Sequence, residues 1–185
     1  DGSCTGSNAC TRLVESGVDK LILGDNSCVG TSACYLLAAE GYYTASIGGY
    51  SCNGEAACSY LGMYAEGILI GENTCNGVES CITLGVYSFP QGSDNEDAFG
   101  LRLGSGSCNG DHSCREVGSS AQEYVTIETN SCNGQYACDY TGDVATESVT
   151  IASDVCNNRE NECHRCANGV SVDLVQIDSQ GMCIY

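Results

Sequence analysis

Apolar and polar positions along the chain alternate in short triplets that recur at regular intervals. Leu21-Ile22-Leu23, Ala45-Ser46-Ile47, Ile68-Leu69-Ile70, Leu101-Arg102-Leu103, Val125-Thr126-Ile127, Val149-Thr150-Ile151 and Val175-Gln176-Ile177 all carry apolar residues at their outer positions. The middle position varies and is often polar. A period of two is the signature of a strand with one buried face, so each triplet is predicted to be a short strand. No 3.6-residue periodicity competes with this pattern, and the chain has a single proline, Pro90.

The triplets belong to a longer repeat marked by cysteines. Pairs separated by five residues stand at Cys4/Cys10, Cys28/Cys34, Cys52/Cys58, Cys75/Cys81, Cys108/Cys114 and Cys132/Cys138, and a stretched pair at Cys156/Cys163 closes the series. Successive first cysteines are 24, 24, 23, 33, 24 and 24 residues apart. A small residue precedes the second cysteine of each of the six regular pairs (Ala9, Ala33, Ala57, Ser80, Ser113, Ala137), and three places after that cysteine comes Leu13, Leu37, Leu61, Leu84 or Val117, with Thr141 the exception. Small and apolar columns of this kind mark inward-facing positions. A fixed period in this range means stacked units, none of which can bury its apolar face alone. Leucine-rich repeats are of similar length but need a leucine and asparagine pattern that is missing here.

The expected fold is therefore all-β: a disulfide-rich, right-handed parallel β-solenoid of about seven coils of ~24 residues. Stacked at ~4.8 Å, they would make a rod on the order of 30 Å long. Residues 1–185 form one domain, with repeats over 1–155, a loop insertion at 86–100 in the 33-residue unit, and an irregular C-terminal cap at 156–185. Phe89 and Phe99 are expected to anchor the base of the insertion, a place where solenoids often carry their working face.

A glycine lies two residues after each first cysteine in six repeats (Gly6, Gly30, Gly54, Gly77, Gly110, Gly134), usually behind asparagine. Asn-Gly is a strong tight-turn dipeptide because both residues tolerate positive φ. A turn there would bring the two cysteines of a repeat within disulfide reach, which six extended residues, spanning ~20 Å, could not. Pairing between stacked coils is the rival. Each cysteine column has seven members, an odd number that would strand one cysteine. Pairing within each coil leaves only Cys166 and Cys183 to join each other.

Sixteen cysteines at regular spacing point to an oxidising compartment and an extracellular or cell-surface protein. Zinc modules place cysteines closer together and mix in histidine, of which there are two. The formal charge of −18 excludes nucleic acid and anionic membranes as partners, and no apolar run is long enough to insert into a bilayer. Beginning at Asp1 without Met or an apolar leader, the chain reads as a mature, processed segment.

The run Ser-Cys-Asn-Gly, two residues, then Ala-Cys, preceded by a strand end such as Ile70-Gly71, resembles tandem cysteine-rich repeats of secreted or surface proteins from marine microalgae and their relatives. The likeness covers residues 1–163. It implies extracellular display and no established activity. Thr5 and Val29 stand where later repeats have asparagine, and Asn158 where the others have glycine.

Candidate chemistry is sparse. Parallel β-helix enzymes gather carboxylates and basic residues on one strand face, whereas the middle column here is Ile22, Ser46, Leu69, Arg102, Thr126, Thr150 and Gln176, so no catalytic residue is assigned. Cys163-His164-Arg165-Cys166 has the spacing of a metal knuckle but no second pair, and His112 reads as a solvated turn residue. Asp94, Asn95, Glu96 and Asp97 crown the insertion with the hard oxygen ligands that calcium prefers, without EF-hand spacing. Calcium is the one cofactor these residues suggest. Thr126 and Thr150 share a register but do not make an ice-binding array. Eleven tyrosines and no tryptophan supply amphipathic surface, and Tyr42, Tyr43, Tyr60 and Tyr64, with Phe89 and Phe99, are the candidate contacts for glycans or protein partners.

Repeat regularity without a chemical site leads to the expectation of a structural or adhesive module, a rigid block of a coat, appendage or filament, with carbohydrate binding or cell adhesion as the alternative. Cys4 begins a full repeat after three residues, whereas the C-terminal unit is irregular. Unlike ends favour head-to-tail self-association.

Overall fold

The computed structural model describes residues 2–13, 20–37, 44–62, 67–84, 100–118, 124–141, 148–157, 163, 174–177, 180 and 182–184. Every apolar triplet falls in a strand: β1 (Lys20–Leu23), β2 (Thr44–Ile47), β3 (Ile68–Ile70), β4 (Leu101–Leu103), β5 (Tyr124–Ile127), β6 (Ser148–Ile151) and β7 (Leu174–Ile177). These seven are parallel and pair in chain order, and β8 (Cys183–Ile184) adds antiparallel to β7. The protein is a disulfide-rich β-solenoid.

Register follows from the two-residue period. Leu23, Ile47, Ile70, Leu103, Ile127, Ile151 and Ile177 lie on one another in an unbroken column. From Ile47 onward they are buried, as are Ala45, Ile68, Leu101, Val125 and Val149 in the other outer column. A slip by one residue would turn both columns to solvent, which is why the pairing is so uniform. The nine extra residues of the long unit do not disturb it, since Ile68 still pairs with Leu101. The column of Leu13, Leu37, Leu61, Leu84 and Val117 completes the thin core. Thr141 fits this column because its Oγ1 donates to the Cys163 carbonyl at 2.8 Å.

The coil-internal disulfides form as the chain's parity implies. Cys4–Cys10, Cys28–Cys34, Cys52–Cys58, Cys75–Cys81, Cys108–Cys114, Cys132–Cys138 and Cys156–Cys163 are joined, with Cα–Cα distances from 5.4 to 5.9 Å. Cys183 is also disulfide-bonded, and Cys166 lies outside the described residues.

The reason for the bend between the cysteines differs from the sequence-based expectation. Asn53, Asn76, Asn109 and Asn133 do not have positive φ, and the glycines that follow them lie outside the left-handed region. Only Gly6 (φ 135°) and Gly30 (φ 144°) of the glycine column have positive φ; in the later repeats the left-handed residues are the first cysteines, such as Cys52 (φ 57°) and Cys132 (φ 59°), and the residues four places later, such as Ala56 (φ 53°) and Tyr136 (φ 56°). Glycine serves stacking. A Cβ on Gly54 would lie 2.3 Å from the Gly77 carbonyl oxygen, and Gly30, Gly77 and Gly110 meet the glycine of the next coil in the same way.

Asparagine serves stacking too. The side-chain Oδ1 of Asn53 accepts from the Val29 amide, Asn76 from Asn53, Asn109 from Asn76, Asn133 from Asn109 and Asn157 from Asn133, all at 3.0–3.1 Å. Each side chain thus satisfies a backbone donor one coil back, in a region where strand pairing has ended. The ladder stops at Val29, because neither Val29 nor Thr5 carries a side-chain amide. A second ladder precedes the first cysteines: the hydroxyls of Ser27, Ser51, Thr74, Ser107 and Ser131 are buried and donate to carbonyls of the next coil, for example Ser51 to Gly71 at 2.7 Å.

Candidate functional site

The densest group of interacting polar side chains on the described wall of the solenoid spans three consecutive coils. Glu79, His112 and Tyr136 occupy the position four residues after their first cysteines, so the repeat stacks them. The His112 and Tyr136 rings are parallel within 8°, with centroids 4.9 Å apart, and His112 Nδ1 lies 3.1 Å from Glu79 Oε2. His112 thus lies in a turn, as expected from sequence, but is a half-buried member of a ladder and not a solvated side chain.

Beside this row, Arg115 and Asp139 each follow a second cysteine directly, and the 24-residue period sets one on the other. Arg115 donates from Nε to Asp139 Oδ1 at 3.1 Å and from Nη2 to Oδ2 at 2.9 Å. The guanidinium also lies over the Tyr140 ring, 5.0 Å from its centroid. The hydrogen bond to Asp139 raises the Arg115 pKa above its ordinary value, against the opposing effect of burial. The Tyr140 phenol is pushed up by burial first and by Glu116 next. This arrangement holds a permanently charged fork against a buried carboxylate; it clamps two coils together and leaves one face of Tyr140 covered by a cation.

The pair makes a direct prediction. The Asp139 side chain is 1% exposed and that of Arg115 24%, so Arg115→Ala takes the bidentate cationic partner from a carboxylate inside the wall. Loss of one partner of a fully buried pair costs about 3–5 kcal/mol; partial exposure of the arginine reduces this to about 2–3 kcal/mol. In denaturant melts, Arg115→Ala combined with Asp139→Ala is expected to be more stable than Arg115→Ala alone. Equal stabilities would show that the buried carboxylate does not depend on the arginine.

Of the residues singled out in the sequence, Tyr60 is 39% exposed and packs edge-on against Tyr35 at 5.7 Å between centroids. Tyr50 and Tyr124 are also exposed. Tyr42, Tyr43, Tyr64, Phe89 and Phe99 lie outside the described residues, as do His164 and Arg165 and the acidic crown Asp94, Asn95, Glu96 and Asp97. Among the described residues, three potential metal-ligand atoms come together only as sulfurs: those of Cys132, Cys138 and Cys156, all within 4.8 Å of one another. All three are in disulfides and offer no thiolate to a metal. The Arg115–Asp139 clamp was missed in the sequence, although its signal is there: opposite charges in one repeat column, one period apart.

Fold and ladders together define a cysteine-rich repeat protein of the β-solenoid class. The profile of a family described as a domain of unknown function (DUF7640) matches residues 1–88, the first part of the repeat array and less than half of the chain. No curated protein and no solved structure matches the chain. The disulfides suit an oxidising environment, and among the described residues no helix is long and apolar enough to cross a membrane.

Proposed function

We propose that the protein is an extracellular structural or adhesive module, a rigid building block of a surface coat, appendage or filament. One observation carries this reading: strand pairing, the asparagine and serine/threonine ladders and one disulfide per coil all bind each coil to itself or to its neighbour, while the middle strand column changes freely from Ser46 to Arg102 to Gln176. The recurring columns serve cohesion between coils, as a rigid rod requires. Extracellular placement rests on the disulfides, and no catalytic role is assigned.

Self-association head to tail is part of this proposal. β1 pairs only with β2 among the described residues, and Leu21 and Ile22 are 38% and 42% exposed, whereas their counterparts in β3, Ile68 and Leu69, are buried and half-buried. The opposite end of the sheet is closed by the short antiparallel β8. Repulsion from a charge of −18 opposes such contacts at low salt. At 0.1 M a Debye length of about 10 Å screens most of it, and calcium at Asp94–Asp97 would help further. Sedimentation at rising salt, with calcium and with chelator, is expected to show association that strengthens with salt or calcium and not with chelator. A monomer under every condition rules out a polymerising subunit.

Exposed Tyr50, Tyr60 and Tyr124 support the second reading, a carbohydrate-binding or cell-adhesion module. A glycan array separates the two: selective binding lost on Tyr60→Ala favours the second, and an empty array favours the first.

A further inference from the structure

We propose that the sulfurs of the last two disulfide-bearing repeats form a relay, in which reduction of Cys156–Cys163 is passed inward to the buried Cys132–Cys138 pair. The two disulfides belong to successive repeats and stack along the solenoid axis. Sγ of Cys156 lies within 4.8 Å of both sulfurs of the Cys132–Cys138 bond, and no other three cysteine sulfurs among the described residues come so close together. Stacking enforces the approach, since the Cys132 amide donates to the Val155 carbonyl at 3.0 Å and holds the two repeats in register.

Burial gives the relay a direction. Cys132 and Cys138 have no exposed surface, and Cys156 has 2%. Cys163 is half-buried, the most exposed residue of the four, and is where the relay would be entered. A small thiol reductant attacks Cys163, and a second thiol completes the reduction. Two electrons and two protons pass to the protein, leaving Cys156 and Cys163 as thiols and the reductant as its disulfide. Cys156, once deprotonated, attacks one sulfur of the Cys132–Cys138 bond. A bond forms from Cys156 to that sulfur, the old bond breaks, and its electron pair leaves on the other sulfur, which takes up a proton. The exchange has no net redox change. Its product is a disulfide between repeats and a thiol in a ring that no external reductant could touch. Thiols in apolar surroundings ionise reluctantly, so the transfer is slow at neutral pH and accelerates as pH rises. This inference is independent of the assembly proposed above.

The test frees Cys156 permanently. In Cys163→Ser, six of the seven coil-internal rings remain, and the folded variant is incubated at a series of pH values, quenched in acid and mapped without reduction. The expected result is loss of the Cys132–Cys138 linkage matched by links from Cys156 to Cys132 or Cys138, about tenfold faster per pH unit below the thiol pKa. An intact Cys132–Cys138 pair with Cys156 recovered as a thiol at every pH overturns the relay. Links from Cys156 to remote cysteines such as Cys28 also overturn it, because they report scrambling through the unfolded chain. Should the variant not fold, the unsubstituted protein with limiting phosphine decides the matter. Cross-links between Cys156 and the Cys132–Cys138 pair are expected; thiols confined to Cys156 and Cys163 within that group refute the proposal.

Discussion

Full reduction is expected to unfold the protein at room temperature. Its core is a set of single-file columns, about three apolar side chains per coil such as Ile68, Ile70 and Leu84, and the structure places a disulfide in each coil beside them. Closing a ring of seven residues removes about 2.3 kcal/mol of chain entropy from the unfolded state. The seven rings together amount to about 16 kcal/mol, against the roughly 5–15 kcal/mol by which a native domain is normally stable. The left-handed first cysteines add to the need, because each non-glycine residue in that conformation costs about 1–2 kcal/mol that the ring helps to hold. Far-ultraviolet circular dichroism in excess phosphine should therefore lose the β signal at a temperature where the oxidised protein keeps it. A fully alkylated chain that retained that signal would show that the ladders suffice without the rings.

The second large effect is expected from one methyl group. In Gly54→Ala the new Cβ would sit 2.3 Å from the Gly77 oxygen and 2.8 Å from its carbonyl carbon, and both are backbone atoms. Neither side can yield locally. The Gly54 amide donates to the Val29 carbonyl at 3.0 Å, and Asn53 and Asn76 are joined by the adjacent ladder bond. Relief requires prising two coils apart along the stack, at a cost of about 3 kcal/mol or more. For a chain of this length that corresponds to a fall in melting temperature of about 6–12 °C. Gly49→Ala is the matched control, since its nearest neighbour, the Asp25 oxygen, is 3.4 Å away. Thermal melts of the two variants should differ by most of that interval, and identical melts would show that the glycine column is not packed as described.

The contrast between these glycines bears on how the sequence could be read. Gly54 and Gly49 look alike in a sequence, and the dipeptide Asn53-Gly54 suggests a turn requiring positive φ. That requirement falls instead on Cys52 and Ala56, residues with no intrinsic preference for it. Local chemistry misled because the decisive contact is with Gly77, 23 residues away, whose position depends on the stack and not on the dipeptide. For the same reason the asparagines read as turn formers while acting as acceptors for the preceding coil.

Much was nevertheless determined by the sequence alone. The two-residue alternation at Val125-Thr126-Ile127 and its counterparts specifies strands with one buried face, because side chains on a strand must point to opposite sides. The period near 24 specifies parallel stacking in register, because only that arrangement lays like residues on like. Odd-membered cysteine columns specify pairing within each coil. Tertiary structure decided what depends on contacts between coils: that glycine is needed for close approach, that asparagine bridges repeats, and that His112 stacks on Tyr136 while Arg115 grips a buried Asp139. It also set Cys156 against the Cys132–Cys138 bond. The physical reason is the same throughout: a repeat states which positions are equivalent, but the distance and orientation between equivalent positions are set by how one coil settles on the next.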